Sequence, residues 1–213
     1  MKKSASPTTT PRTPAHPARI AIGVLALQGD YDAHAAALRE AGAEPVLIRK
    51  PEQLAHIDGL ILPGGESTTF LKFLERDGFL ASLQAFVLSK PTFGTCAGCI
   101  LLATEVTHPA QRSLGVLHAT VERNAYGRQI DSSIHTADTS LPGGPLEMVY
   151  IRAPRIVATG DGVDVLARRD GFPVLVQQGH ILAATFHPEL SSDRRVHQHF
   201  VSLVRSRAPQ SSR

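Results

Sequence analysis

Arg19-Ile20-Ala21-Ile22-Gly23-Val24-Leu25-Ala26-Leu27-Gln28-Gly29-Asp30 is a nearly unbroken apolar run that ends at a turn signal. No polar residue alternates with the apolar ones, so both faces of the strand must be covered, as in a parallel sheet packed between helices. The downstream pattern repeats that demand. Ala35, Leu38 and Ala41 lie on one helical face closed by Gly42; Pro45 to Ile48 reads as a second strand. Gly59 to Leu62 reads as a third and runs into Pro63-Gly64-Gly65. Phe70, Leu71, Phe73 and Leu74, then Leu83, Phe86 and Val87, show helical spacing between Thr68 and Pro91. Strands alternating with helices predict an α/β fold of three layers, a mostly parallel sheet with helices on both faces.

Past residue 115 the runs shorten and Gly, Pro and Asp separate them. Val165 to Ala167, Val174 to Gln177 and Ile181 to Phe186, divided by Asp170-Gly171 and Gly179, read as antiparallel strands and make the sheet mixed. Pro142 to Pro145 is a loop, and Ser191 to Val204 is expected to form a last helix with Val196, Phe200 and Val204 on one face. The organisation expected is a disordered extension over residues 1–18, one domain over 19–205 and a fraying tail over 206–213. The extension is rich in Ser, Thr, Pro and Ala and has too few large apolar side chains to offset ordering entropy. Its density of Pro argues against the amphipathic helix of an organelle address.

The chain has 213 residues and a formal charge of +3, but the excess sits at the ends. Lys2, Lys3, Arg12 and Arg19 precede the first acidic residue, Asp30, and Arg205, Arg207 and Arg213 follow the last one, Asp193. Without those seven of the 22 basic residues, 15 remain against 19 acidic ones, so a nucleic-acid partner is not expected. No run reaches the roughly 18 apolar residues of a membrane span. The two cysteines, Cys96 and Cys99, lie too close together to form a disulfide framework, which favours a reducing, cytoplasmic setting and a chemical role.

That role centres on Thr92-Phe-Gly-Thr-Cys96-Ala-Gly-Cys-Ile-Leu-Leu102. A short strand handing over to a helix at a residue flanked by glycines is a nucleophile elbow, which exposes the thiol and sets it at a helix N-terminus. A buried structural cysteine is the plain alternative for such a site. Phe186-His187-Pro188-Glu189 supplies a base at a strand end. Residues i and i+2 of an extended segment point the same way, so Glu189 is expected to orient His187. In that arrangement His187 takes the thiol proton and returns it to a leaving amine. The Gly-rich turn Leu62-Pro-Gly-Gly-Glu-Ser-Thr-Thr69 adds N–H donors for an oxyanion, with Gly65 and Ala97 as the candidates. It also reads as a turn leading to an N-cap at Ser67 or Thr68, and it lacks the Lys-Ser/Thr ending of a phosphate loop.

Six segments together carry a family resemblance. Gly23-Val-Leu-Ala-Leu-Gln-Gly29, Leu62-Pro-Gly-Gly-Glu-Ser-Thr68, Gly94-Thr-Cys-Ala-Gly98, Arg123-Asn-Ala-Tyr-Gly-Arg-Gln129, Ile151-Arg-Ala-Pro154 and Phe186-His-Pro-Glu-Leu190 resemble, in order and spacing, the glutaminase subunits of pyridoxal 5′-phosphate synthases, members of the class I glutamine amidotransferase-like fold. The resemblance implies that Cys96, His187 and Glu189 form a triad and that Gly65, Glu66, Ser67, Arg123, Ile151 and Arg152 contact L-glutamine. It implies hydrolysis without cofactor or metal, with ammonia passed to a partner lyase subunit that builds the cofactor ring, and activity that depends on docking to that partner. Arg123 and Arg152 suit the substrate α-carboxylate and Glu66 its α-ammonium. Glycine at Gly64-Gly65 and at the Gln28-Gly29 turn permits a peptide to rotate an N–H toward the oxyanion.

The chain departs from the family pattern at its N-terminal extension, at Cys99 in place of an aliphatic residue, and at Ser133 where Phe usually follows the Asp-Ser pair. Cys96-Ala-Gly-Cys99 is also a redox spacing, but a thiol oxidoreductase leaves the other five segments unexplained. A zinc site lacks a second cysteine pair. A scaffold protein that keeps only the fold does not need an intact Cys, His and Glu.

Overall fold

The computed structural model describes residues 20–76, 78–123, 125 and 132–208. Arg19, the terminal segments and most of the Asn124 to Gln129 stretch lie outside the described residues. The first half alternates as the sequence predicts: β1 Ala21–Leu25, α1 Tyr31–Glu40, β2 Glu44–Ile48, β3 Gly59–Leu62, α2 Ser67–Leu74, α3 Phe79–Val87, β4 Thr92–Thr95 and α4 Ala97–Leu102. The second half is strand-rich: β5 Ala103–Thr107, β6 Leu117–Glu122, β7 Ser132–Ala137, β8 Leu146–Ile151, β9 Arg155–Thr159, β10 Asp164–Arg169, β11 Phe172–Gln178 and β12 Ile181–Ala184, followed by α5 Arg195–Arg207.

Seven strands form the central sheet in the order β10-β11-β12-β4-β3-β1-β2. β2, β1, β3, β4 and β12 run parallel, and β11 and β10 extend the sheet antiparallel. Alternation within the strands sends side chains to two cores. Leu60 and Leu62 of β3 join the helices α2, α3 and α4 on one face, whereas Ile61 joins α1 and α5 on the other. Phe70, Leu74 and Leu83 fill the first core; Leu38, Val196, Phe200 and Val204 fill the second. This is the three-layer arrangement the apolar first strand demanded.

Three local expectations change. β12 ends at Ala184 rather than Phe186, and the last helix starts at Arg195 rather than Ser191. Pro188 forces a short 3-10 turn over Pro188–Leu190 between them. Outside the central sheet, β6 pairs antiparallel with β9, β7 antiparallel with β8, and β5 parallel with β6. α5 runs through Arg207, three residues beyond Val204, where the last helix was expected to end.

Candidate functional site

Parallel pairing gathers the site at one end of the sheet. In register, Ala184 of β12 faces Thr95 of β4, and Leu62 of β3 faces Gly94. The residues that follow each strand, His187, Cys96 and Gly64-Gly65, therefore emerge side by side at the carboxyl ends, where open α/β sheets place their sites. The Cys96 N–H donates to Ala184 O at 2.9 Å, and the His187 N–H donates to Val149 O at 2.8 Å, which ties both residues to neighbouring strands.

Cys96 occupies the strand-to-helix elbow with φ 48° and ψ −103°, a backbone state rare for a non-glycine residue. The elbow needs Gly98 because a Cβ there would collide with the Leu62 carbonyl. His187 interacts electrostatically with Cys96 on one side and hydrogen-bonds through Nδ1 to Glu189 Oε1 at 2.7 Å on the other. Cys96, His187 and Glu189 are all nearly buried. The His187–Glu189 pair forms, but not through an extended segment: the 3-10 turn at Pro188 swings Glu189 under the ring. Burial disfavours a charge on His187, yet its interactions with Cys96 and Glu189 outweigh this and push it up to about 10. Burial likewise opposes the Glu189 carboxylate, and His34 and His187 overcome it and hold the group at about 2.

A pocket of about 310 Å³ opens above this set. Gly65, Glu66, Ser67, Arg123, Ile151 and Arg152, the six residues expected to contact substrate, all line it together with Cys96 and His187. Asp30 and Ile100 line it as well and were not foreseen; Asp30 directly follows the Gln28-Gly29 turn, which is the only sequence signal for it. Ala97, the first residue of α4, and Glu189 stand behind the wall, fully and nearly buried. Arg152 sits at φ 44°, a second strained non-glycine backbone on the same pocket.

The cap of α2 differs from expectation. Glu66, not Ser67 or Thr68, is the N-cap: its carboxylate accepts from the N–H groups of Thr68 and Thr69 at 3.0 and 2.7 Å and from both hydroxyls. A carboxylate spans two donors at once and meets the helix dipole, whereas a hydroxyl satisfies one. Ser67 is then free to turn inward, where its Oγ donates to Gln111 Oε1 at 2.8 Å. Desolvation opposes the Glu66 charge, but the four bonds from Thr68 and Thr69 draw it down to about 2. Arg123 lies 3.5 Å from Glu66 Oε1, so the pocket presents a cation and an anion side by side.

Cys99 is fully buried in the core with α2 and α3, and burial followed by the proximity of Cys96 pushes its thiol up to about 12. Such a thiol is a packing group, not a second redox partner. Among the described residues the only set of three metal-ligating atoms that all lie within 4.8 Å of one another is Asp30, His187 and Glu189, and there His187 Nδ1 is already committed to Glu189.

A doubly covered parallel sheet, with a cysteine at a strand–helix elbow and a His–Glu pair at the end of the adjacent strand, is the build of a glutamine amidotransferase. The chain belongs to the SNO glutamine amidotransferase family, whose match spans residues 24–206. It is 62% identical over 185 residues to the pyridoxal 5′-phosphate synthase subunit PdxT of Koribacter versatilis, covering 87% of this chain and 96% of that protein. It is 49% identical to the PdxT of Thermotoga maritima, covering 86% and 99%. A crystal structure of a glutamine amidotransferase superposes with a TM-score of 0.80 at 47% identity, covering 86% of this chain and 98% of that one. The structure of PurLQS from Thermotoga maritima, at 18% identity and a TM-score of 0.63 over 86% of this chain and 98% of that one, shows the fold alone. Among the described residues, no helix is long and apolar enough to cross a membrane.

Proposed function

We propose that this chain is the glutaminase subunit of a pyridoxal 5′-phosphate synthase: it hydrolyses L-glutamine to L-glutamate and ammonia and hands the ammonia to the lyase subunit. The observation that carries the reading is Cys96 beside the hydrogen-bonded His187–Glu189 pair at the floor of a pocket with paired charges. Cys96 attacks the carboxamide carbon as a thiolate whose proton His187, raised to about 10, already holds. His187 then protonates the departing ammonia, leaving a thioester that water, deprotonated by His187, cleaves to glutamate. Glu189 holds the His187 tautomer, and the N–H groups of Gly65 and Ala97 receive the oxyanion.

Arg123 beside Glu66 matches the adjacent opposite charges of a free α-amino acid, and this favours glutamine over a peptide-bound side chain. Arg123 and Arg152 take the α-carboxylate, Glu66 meets the α-ammonium, and Ser67 and Ile151 complete the walls. A cytoplasmic setting belongs to the same reading, since Cys96 must stay reduced. The deciding experiment measures ammonia release from glutamine with the lyase subunit present, for the wild type and Cys96→Ala. Turnover in the first and none in the second supports the reading; no turnover in the wild-type complex overturns it.

A further inference from the structure

Glu189 has a second neighbour that the reaction leaves unused. His34, on α1 and fully buried, places Nε2 3.3 Å from Glu189 Oε2 and 3.1 Å from Thr95 Oγ1. Its Nδ1 lies 3.0 Å from Nε2 of His197, a buried residue of α5. The other charged groups that act on His34 are His187 and, with a smaller effect, Asp30. Three histidines and one carboxylate thus share one dry compartment beneath the pocket.

The proton positions in this compartment are forced. Glu189 is ionised and only accepts. Burial keeps His34 neutral, against the pull of Glu189, so one ring nitrogen carries the hydrogen. If that were Nδ1, the Nε2 lone pair would face the lone pairs of Glu189 Oε2 in a buried site, which is repulsive. The hydrogen therefore sits on Nε2, Nδ1 accepts, and His197 must donate from its own Nε2. That leaves His197 Nδ1 as a bare acceptor, and this atom is indeed buried without a hydrogen-bond partner, as is Glu189 Oε2. An orphaned acceptor is easier to bury than an orphaned donor.

We propose that His34 is a positioning residue for the reaction: its Nε2–H, hydrogen-bonded to Thr95 Oγ1, sets its positive edge 3.3 Å from the second oxygen of Glu189, with the tautomer set by His197, so that the first oxygen stays aimed at His187. Rotating the Glu189 carboxylate off the His187 Nδ1–H would take Oε2 away from that positive edge. This inference rests on the glutaminase reading for its kinetic part, but the hydrogen placement does not.

Two measurements test it. In wild-type protein labelled with ¹⁵N-histidine, His34 should show the neutral Nε2–H tautomer across neutral pH; an Nδ1–H tautomer or a protonated ring overturns the proposal. The second compares two polar variants, each in complex with the lyase partner. His34→Asn can replace only the Nδ1 position, whereas His34→Gln extends an amide N–H to the Nε2 position. The Asn variant should lose about tenfold or more in kcat with KM little changed, and the Gln variant should recover most of that loss. Equal kcat in two folded variants overturns the proposal, and if either fails to fold the NMR result decides alone. A wild-type complex without glutaminase activity would defeat the functional reading while leaving the tautomer measurement intact.

Discussion

Gly64 lies against the imidazole of His187: a Cβ built on it would overlap Cε1, come within 3.1 Å of Nδ1 and stand 3.4 Å from Cys96 Cβ. The turn after β3 thus sets the back wall of the nucleophile and base, and no larger residue fits without moving one of them. Gly64→Ala should displace the ring from Cys96 and lower kcat by about a hundredfold, with a loss of a few kcal/mol at most. Kinetics in the lyase complex beside a thermal melt would check this, and normal kcat would show that the ring has room to yield.

Cys96, the proposed nucleophile, sits in a strained backbone state. Replacement by Ala keeps the φ of 48° for a residue with a Cβ, whereas Gly relieves it. Both variants should be inactive, and Cys96→Gly should melt no lower than Cys96→Ala although glycine usually destabilises helix starts. Differential scanning calorimetry of the two side by side decides it.

A glutamine-mimicking electrophile should modify Cys96 and spare Cys99, whose buried thiol is held near 12. Cys99→Ala should cost about 1–2 kcal/mol of stability and keep most turnover, as expected for a small apolar side chain removed from a core. Mass spectrometry of the labelled peptide, with a reductant titration of activity, separates this from a dithiol role.

The Gly64 carbonyl packs on Gly29, whose φ is 80°. Rotation of the peptide that follows Gly64 would turn the Gly65 N–H, and docking of the lyase subunit is expected to select the productive orientation. Without the lyase, the chain should bind glutamine yet hydrolyse it about a hundred- to a thousandfold more slowly than the complex, the usual effect of losing one oxyanion donor. Equal ammonia release with and without the lyase would exclude this gating.

Acid should weaken the fold early. Burial, followed by repulsion from His34, depresses His197 to about 3, and burial lowers His34 as well. The unfolded chain binds these protons near pH 6.5 while the folded chain refuses them, so stability falls as pH drops below about 6.5. Glu189, held at about 2, adds a further loss once pH falls below its unfolded value of about 4.5. Chemical denaturation at a series of pH values should show this slope, and His197→Phe should flatten its upper part. A wild-type stability independent of pH between 4.5 and 6.5 would contradict the buried neutral pair.

The sequence makes the elbow legible because glycine spacing around Cys96 and the pattern of apolar strands are local features. It hides the cap of α2, since Glu66, Ser67 and Thr68 all suit an N-cap by composition and only the packing of Ser67 against Gln111 assigns the role. It also misreads the route by which Glu189 meets His187, because a two-residue separation fits both an extended segment and the 3-10 turn that Pro188 imposes. His34 and His197 give no signal at all: on their helices they occupy core positions by spacing, and nothing local tells that the residues filling the core are imidazoles facing one another.

By itself the sequence predicted the layered α/β class and the elbow at Cys96, because apolar periodicity and glycine-framed turns act over a few residues, whereas the residues expected at the pocket came from the family resemblance. Tertiary structure decided which groups share a proton or a charge: Glu66 with Arg123 and the first turn of α2, and Glu189 with His187 and His34. These bonds join residues up to 163 positions apart, as between His34 and His197. Their strength comes from the dry space between sheet and helices, which exists only once the parallel strands have aligned their carboxyl ends.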